Sequence, residues 1–179
     1  MTTQVKKIGR GVNLIQKIEP VTMTLDEYLQ GKYKVTRDEL SARSKMLIGR
    51  IEKYVDTMNL RTINTQENIV KQQSAFLQTV LGILESDSKD AMLMWDVLLF
   101  MAYKHESDLF NDRTACRMYH LIPEAQQRPF LALMTLVVST ANVRNRANAL
   151  RTCPLSTVTA LLSNDTQKTN LAAYYATNV

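Results

Sequence analysis

Turn-forming residues are scarce in this chain, which has only five glycines and four prolines in 179 residues. They fall mostly between periodic segments, and an all-β fold needs far more tight turns than they can supply, so that class is excluded. Cysteine is scarcer still. Cys116 and Cys153 have no CxxC-type partner, which argues against a disulfide, predicts two buried free thiols and suits a reducing compartment. Long apolar runs are also missing. The longest, Ala91 to Tyr103, holds thirteen residues with Asp96 inside it, too short for a bilayer that takes roughly 20. The lysines near the start of the chain precede no apolar stretch, so no secretory signal is read there. A cytoplasmic protein without membrane contact is expected, a virion being the other location the sequence suggests.

The signatures of catalysis are absent as well. His105 and His120 are the two histidines, and each has a single carboxylate at helical spacing, Asp108 and Glu124 respectively. Zinc takes three or four protein ligands, so neither pair suffices. Ser74, Ser107, Ser139 and Ser156 stand in no nucleophile elbow. Gly9-Arg10-Gly11 lacks the strand–turn–helix context of a phosphate-binding loop. No catalytic residue, metal, cofactor or small-molecule substrate is expected, and an enzyme ranks last among the functional readings.

What the chain does have is an ordinary globular composition, 45% hydrophobic and 22% charged, with its charge unevenly parcelled. Residues 1–17 carry Lys6, Lys7, Arg10 and Lys17 and no acid. Residues 85–112 carry Glu85, Asp87, Asp90, Asp96, Glu106, Asp108 and Asp112 against Lys89 and Lys104 alone. Residues 125–179 carry Arg128, Arg144, Arg146, Arg151 and Lys168 against Asp165. The net charge of +5 favours acidic partners, and segregation of this kind speaks of surfaces rather than of reaction chemistry.

The apolar residues recur at the 3.6-residue period over most of the chain, which predicts an all-α fold: a single helical-bundle domain of about six to eight helices over 24–179, preceded by an extended basic and apolar arm over 1–23. The arm keeps Val5, Ile8, Val12, Leu14, Ile15 and Ile18, too apolar for a purely solvated tail, and is expected to dock. Thr24 with Glu27 and Thr36 with Glu39 match the capping box, so helices should start at both. The first should stop near Gly31 and the second run over 37–59. Asn64 with Glu67 marks a third start, for a helix over 65–85. Ser86-Asp87-Ser88 should cap a central helix over 89–104, apolar around most of its circumference. Pro129 suits the first turn of a helix over 129–150, and shorter helices follow Asn111-Asp112 and Pro154. Asp96, beside Lys89 and Lys104, is read as the narrow polar edge of the central helix.

On the helix over 129–150, the stripe Phe130, Leu133, Met134, Val137 and Ala141 continues at the same angle into Arg144, Asn148 and Arg151. That switch from apolar to basic predicts a helix end projecting from the core. Arg43, Arg50 and Lys53 flank the apolar arc of 37–59 and form a second basic edge. The expected partner-binding residues are therefore Lys6, Lys7, Arg10, Lys17, Arg43, Arg50, Arg144, Arg146 and Arg151 on the basic side, and Glu106, Asp108 and Asp112 on the acidic side.

Two functional readings follow. One is a non-enzymatic structural or assembly protein, a homo-oligomer or part of a larger protein assembly, in which the basic regions of one copy meet the acidic region of another. The other is an accessory protein that binds DNA or RNA through phosphate contacts with little sequence preference. No motif identifies a family. The combination of a short motif-free helical chain, an apolar-basic arm and segregated charge resembles, in general type only, small phage- or virus-type particle and accessory components.

Overall fold

Thr24 opens the structure as the sequence predicts. Its hydroxyl accepts the Glu27 N–H at 3.1 Å while the Glu27 carboxylate accepts the Thr24 N–H at 2.9 Å, satisfying two donors that a helix start leaves bare. The computed structural model describes residues 22–59, 65–105, 109 and 113–178. Among them it shows an all-α helical bundle of nine helices and no strand. The count reaches nine because two of them, α5 and α8, are pieces of six and five residues.

Helix α1 (Leu25–Tyr33) runs past Gly31 and ends at Lys34, which adopts the left-handed conformation at φ 59°. The Lys34 N–H returns to the Gln30 carbonyl at 3.2 Å, closing the helix with the turn that glycine usually supplies. The second capping box opens only a 3-10 turn, Arg37–Glu39, because Leu40 takes an extended backbone there and turns its side chain to the core. Helix α2 (Ala42–Asn59) therefore starts five residues later than the sequence suggests, where the Ser41 hydroxyl accepts the Ser44 N–H at 3.1 Å. Helix α3 (Gln66–Leu84) is capped by Thr65, whose hydroxyl takes the Asn68 N–H at 3.1 Å.

Helix α4 (Ser88–Lys104), capped by Asp87 on the Asp90 N–H, is the central element expected. It buries Ala91, Met94, Trp95, Val97, Leu98, Leu99, Met101 and Ala102, and no polar arc of ordinary width is left on it. Helix α5 (Arg113–Met118) leads through a 3-10 turn to α6 (Glu124–Ala141). That helix begins a turn and a half earlier than expected, so Pro129 lies in its interior rather than its first turn, where it removes one backbone donor.

The predicted helix over 129–150 is two helices. Asn142 takes an extended backbone and its side-chain oxygen accepts the Arg144 N–H at 3.0 Å, the local competition that makes asparagine a helix stop. A 3-10 turn over Val143–Asn145 then redirects the chain into α7 (Arg146–Thr152). Helices α8 (Leu155–Thr159) and α9 (Asp165–Asn178) follow. Helix α9 closes the bundle over α3, α4 and α7, and its Asn170 donates to the Leu84 and Ser86 carbonyls at 2.7 and 2.8 Å. Those carbonyls would otherwise be bare at the C-terminus of α3. One contiguous apolar core runs through α1–α4, α6 and α9, with Tyr54 of α2 packed on Phe76 of α3 at 4.3 Å between ring centroids. No helix among the described residues is long and apolar enough to cross a membrane.

Candidate functional site

Helix α1 carries Tyr28, Lys32 and Tyr33, and all three donate to one oxygen, Oδ2 of Asp96 on α4. The distances are 2.7 Å from the Tyr28 hydroxyl, 2.8 Å from Lys32 Nζ and 2.5 Å from the Tyr33 hydroxyl. The Asp96 side chain is 15% exposed and that of Lys32 52%. The Lys32 ammonium also lies 5.7 and 5.5 Å from the Tyr28 and Tyr33 ring centroids, within cation–π range. Tyr28 stacks on Phe100 at 4.2 Å, a second tie between the two helices. Asp96 is thus no open polar edge with Lys89 and Lys104. It is covered by α1, while Lys104 reaches the Met23 carbonyl at 2.9 Å.

The electrostatics of this cluster lock its protonation. Burial alone would raise the Asp96 carboxyl, but the hydrogen bonds from Lys32, Tyr33 and Tyr28 outweigh it and hold the group below the ordinary carboxylate range. Burial, and then the Asp96 charge, pushes both phenols above the usual tyrosine value. Burial would lower the Lys32 ammonium, yet its contacts with Asp96 outweigh that and raise it. Each group is moved away from neutral pH, opposite to what a general acid or base requires.

Beside this cluster lies a cavity of about 310 Å³ where α1, α4, α7 and α9 meet. Lys32, Lys89 and Arg146 bring positive charge to it, and the indole of Trp95 and the phenol of Tyr174 line it, their ring centroids 5.4 Å apart. Burial raises the Tyr174 phenol above its usual value. Thr140 and Trp95 stand near enough to act on that phenol, but neither contact reaches hydrogen-bond geometry, so the Tyr174 hydroxyl and Trp95 Nε1 stay without a partner.

The residues singled out from sequence fare differently. Lys6, Lys7, Arg10, Lys17, Glu106, Asp108 and Asp112 lie outside the described residues. Arg43 and Arg50 are exposed on α2, and Arg43 also reaches the Ser86 hydroxyl at 3.1 Å and the Gly82 carbonyl at 2.8 Å. The line from the α6 stripe into Arg144 and Arg151 is broken by Asn142, so no helix end projects as expected. Arg144 and Arg151 are exposed, whereas Arg146 is half-buried with Nε on the Thr140 carbonyl at 2.8 Å. That bond satisfies one of the last carbonyls of α6.

The four described acids of the acidic stretch each make a hydrogen bond within the chain, Glu85 and Asp87 from exposed positions. Glu85 accepts from Gln167 at 2.9 Å, Asp87 caps α4, Asp90 faces the Ser41 hydroxyl and Asp96 holds α1. Sequence reasoning missed the Asp96 cluster and the cavity. The signal it left unused was Tyr28, Lys32 and Tyr33 together on one short helix. Cys116 and Cys153 are not joined in a disulfide and are half-buried rather than fully buried. Among the described residues, no group of three His, Cys, Asp or Glu is placed to hold a metal ion. No family model, curated protein or solved structure matches this chain.

Proposed function

We propose that this chain is a non-enzymatic assembly protein that associates with further copies of itself, or joins a larger protein assembly, through its charged surfaces. A phage- or virus-type particle or accessory component is the setting that fits this reading. The observation that carries it is the outward face of α2. Arg43, Lys45, Arg50 and Lys53 are exposed along it, with exposed Met46 and Gly49 between them. A Cβ at Gly49 would meet nothing within 4 Å, so a partner backbone can approach there closely. Val143, 69% exposed beside Arg144, is a second patch of the same mixed character.

Cations interleaved with aliphatic side chains suit a protein partner. A single-stranded nucleic acid would favour aromatic platforms among the cations, and the exposed large hydrophobic residues among those described (Met23, Met46, Leu121, Leu131 and Val143) include no aromatic. The partner acids in this reading are Glu106, Asp108 and Asp112, since the acids at 85–96 each already accept a hydrogen bond within the chain. The basic arm, Lys6 to Lys17, adds to the cationic side.

Light scattering across a salt series tests the proposal. A multimer that shrinks between about 0.05 and about 1 M salt is expected, as is dissociation by the pair Arg50→Glu and Lys53→Glu or by removal of residues 1–23. A monomer at every salt concentration ends the reading. The exposed cations of α2 also favour the second reading, a nucleic-acid accessory protein making phosphate contacts. Anisotropy of labelled duplex and single-stranded oligonucleotides at low salt decides it, and no binding to either removes it.

A further inference from the structure

The cavity beside Asp96 is furnished for a ligand that accepts hydrogen bonds and carries negative charge. Three cations, Lys32, Lys89 and Arg146, surround it against a single acid, and the one oxygen of that acid that meets α1 already takes three donors. Lys32 is committed to that acid, while Lys89 is exposed and Arg146 half-buried at the cavity wall. Arg146 is held at the wall through its Nε bond to the Thr140 carbonyl, and a guanidinium fixed in this way pairs well with a planar carboxylate.

The rings of Trp95 and Tyr174 form part of the wall, while Trp95 Nε1 and the Tyr174 hydroxyl are sealed inside the protein, the phenol near Thr140 and Trp95. The remaining wall is largely apolar, with Met92, Leu93 and Leu99 beside the polar Thr177 and Asn178, and gives a hydrated inorganic ion little compensation for its lost water. The volume of about 310 Å³ lies at the small end of the range for organic ligands.

We infer that the cavity between α1, α4, α7 and α9 binds a small amphipathic carboxylate, its head group on Arg146 and Lys89 and its aliphatic body on Met92, Leu93 and Leu99. The sequence alone suggested no small-molecule site. The inference stands apart from the assembly reading, since none of its residues lies on the outward face of α2.

Trp95 is the one tryptophan of the chain, so its fluorescence reports on the cavity directly. The full chain is titrated with octanoate below its micelle concentration, with octanol and with inorganic phosphate, and each result is checked by calorimetry. The inference expects a saturable change in Trp95 emission with octanoate, and at least tenfold weaker binding of octanol and of phosphate. Arg146→Met should weaken octanoate about tenfold. Because Arg146 also ties down α6, the exposed Lys89→Gln serves as the second variant, with weakening of about threefold or more expected. Equal binding of octanol and octanoate would show an apolar slot without anion recognition. Tighter binding of phosphate would show a site for hydrated anions, and no saturable response to any probe would show a cavity that holds only water. Any one of these three results overturns the inference, as does unaltered octanoate affinity in Lys89→Gln.

Discussion

Asp96→Asn is the most exacting perturbation of this structure, because it keeps the shape of the side chain and removes only its charge. Three donors converge on one carboxylate oxygen. A hydrogen bond to a charged group contributes about 1.5–3 kcal/mol and one between neutral groups about 0.5–1.5 kcal/mol, so the two tyrosine bonds lose roughly 1 kcal/mol each. The Lys32 bond adds at most about 1 kcal/mol, since Lys32 is 52% exposed and solvent screens such pairs. The expected loss is about 2–3 kcal/mol, or a fall in Tm of about 4–12 °C for a chain of this size.

The pH dependence sharpens that expectation. The folded Asp96 carboxyl lies below its unfolded value, so its contribution is present above about pH 4 and is lost as pH falls through the folded value. The wild type should lose its advantage over Asp96→Asn in acid. Tyr28 and Tyr33 are raised, so their contribution is full below about pH 10 and is lost as pH rises through the folded values. Tyr33→Phe, which removes one donor and adds none, should cost about 1–2 kcal/mol. Thermal unfolding from pH 3 to neutrality, with amide exchange to follow α1, makes the measurement. A Tm within about 1 °C of wild type at pH 7, or an unaltered acid limb in Asp96→Asn, would refute the reasoning.

Three further outcomes follow from the fold. Asn170→Ala leaves the buried carbonyls of Leu84 and Ser86 without donors and should cost about 2–4 kcal/mol by denaturant titration. Gly49→Ala should stabilise the monomer by roughly 0.5–1 kcal/mol, since it is an exposed mid-helix glycine with open space around it, while weakening association if α2 is the docking face. Arg37→Gln breaks the pairs to Asp26 at 2.8 Å and Glu52 at 2.7 Å. Those side chains are 34–68% exposed, so the loss should stay under about 1 kcal/mol and shrink with added salt.

Local signals were legible in the sequence where they rest on groups a few residues apart. The Thr24–Glu27 box and the cap at Asp87 need only backbone and side chains within one turn, and they form as predicted. The same reach explains the failures. Thr36–Glu39 is a true local hydrogen-bond pattern, yet the core's demand for Leu40 breaks the chain after one 3-10 turn. The stripe through Phe130 to Arg151 reads as one helix by period alone, and Asn142 cuts it with a single side-chain bond.

By itself the sequence determined the all-α class, the central place of α4 and most helix starts, because hydrophobic period and capping act over a few residues. Tertiary structure alone decided which acids remain on the surface, where α1 lies and whether a cavity exists. Tyr28 and Tyr33 reach Asp96 across 68 and 63 residues of chain, and Asn170 reaches Leu84 across 86. Such partners are chosen by how helices pack, and no local pattern encodes that choice.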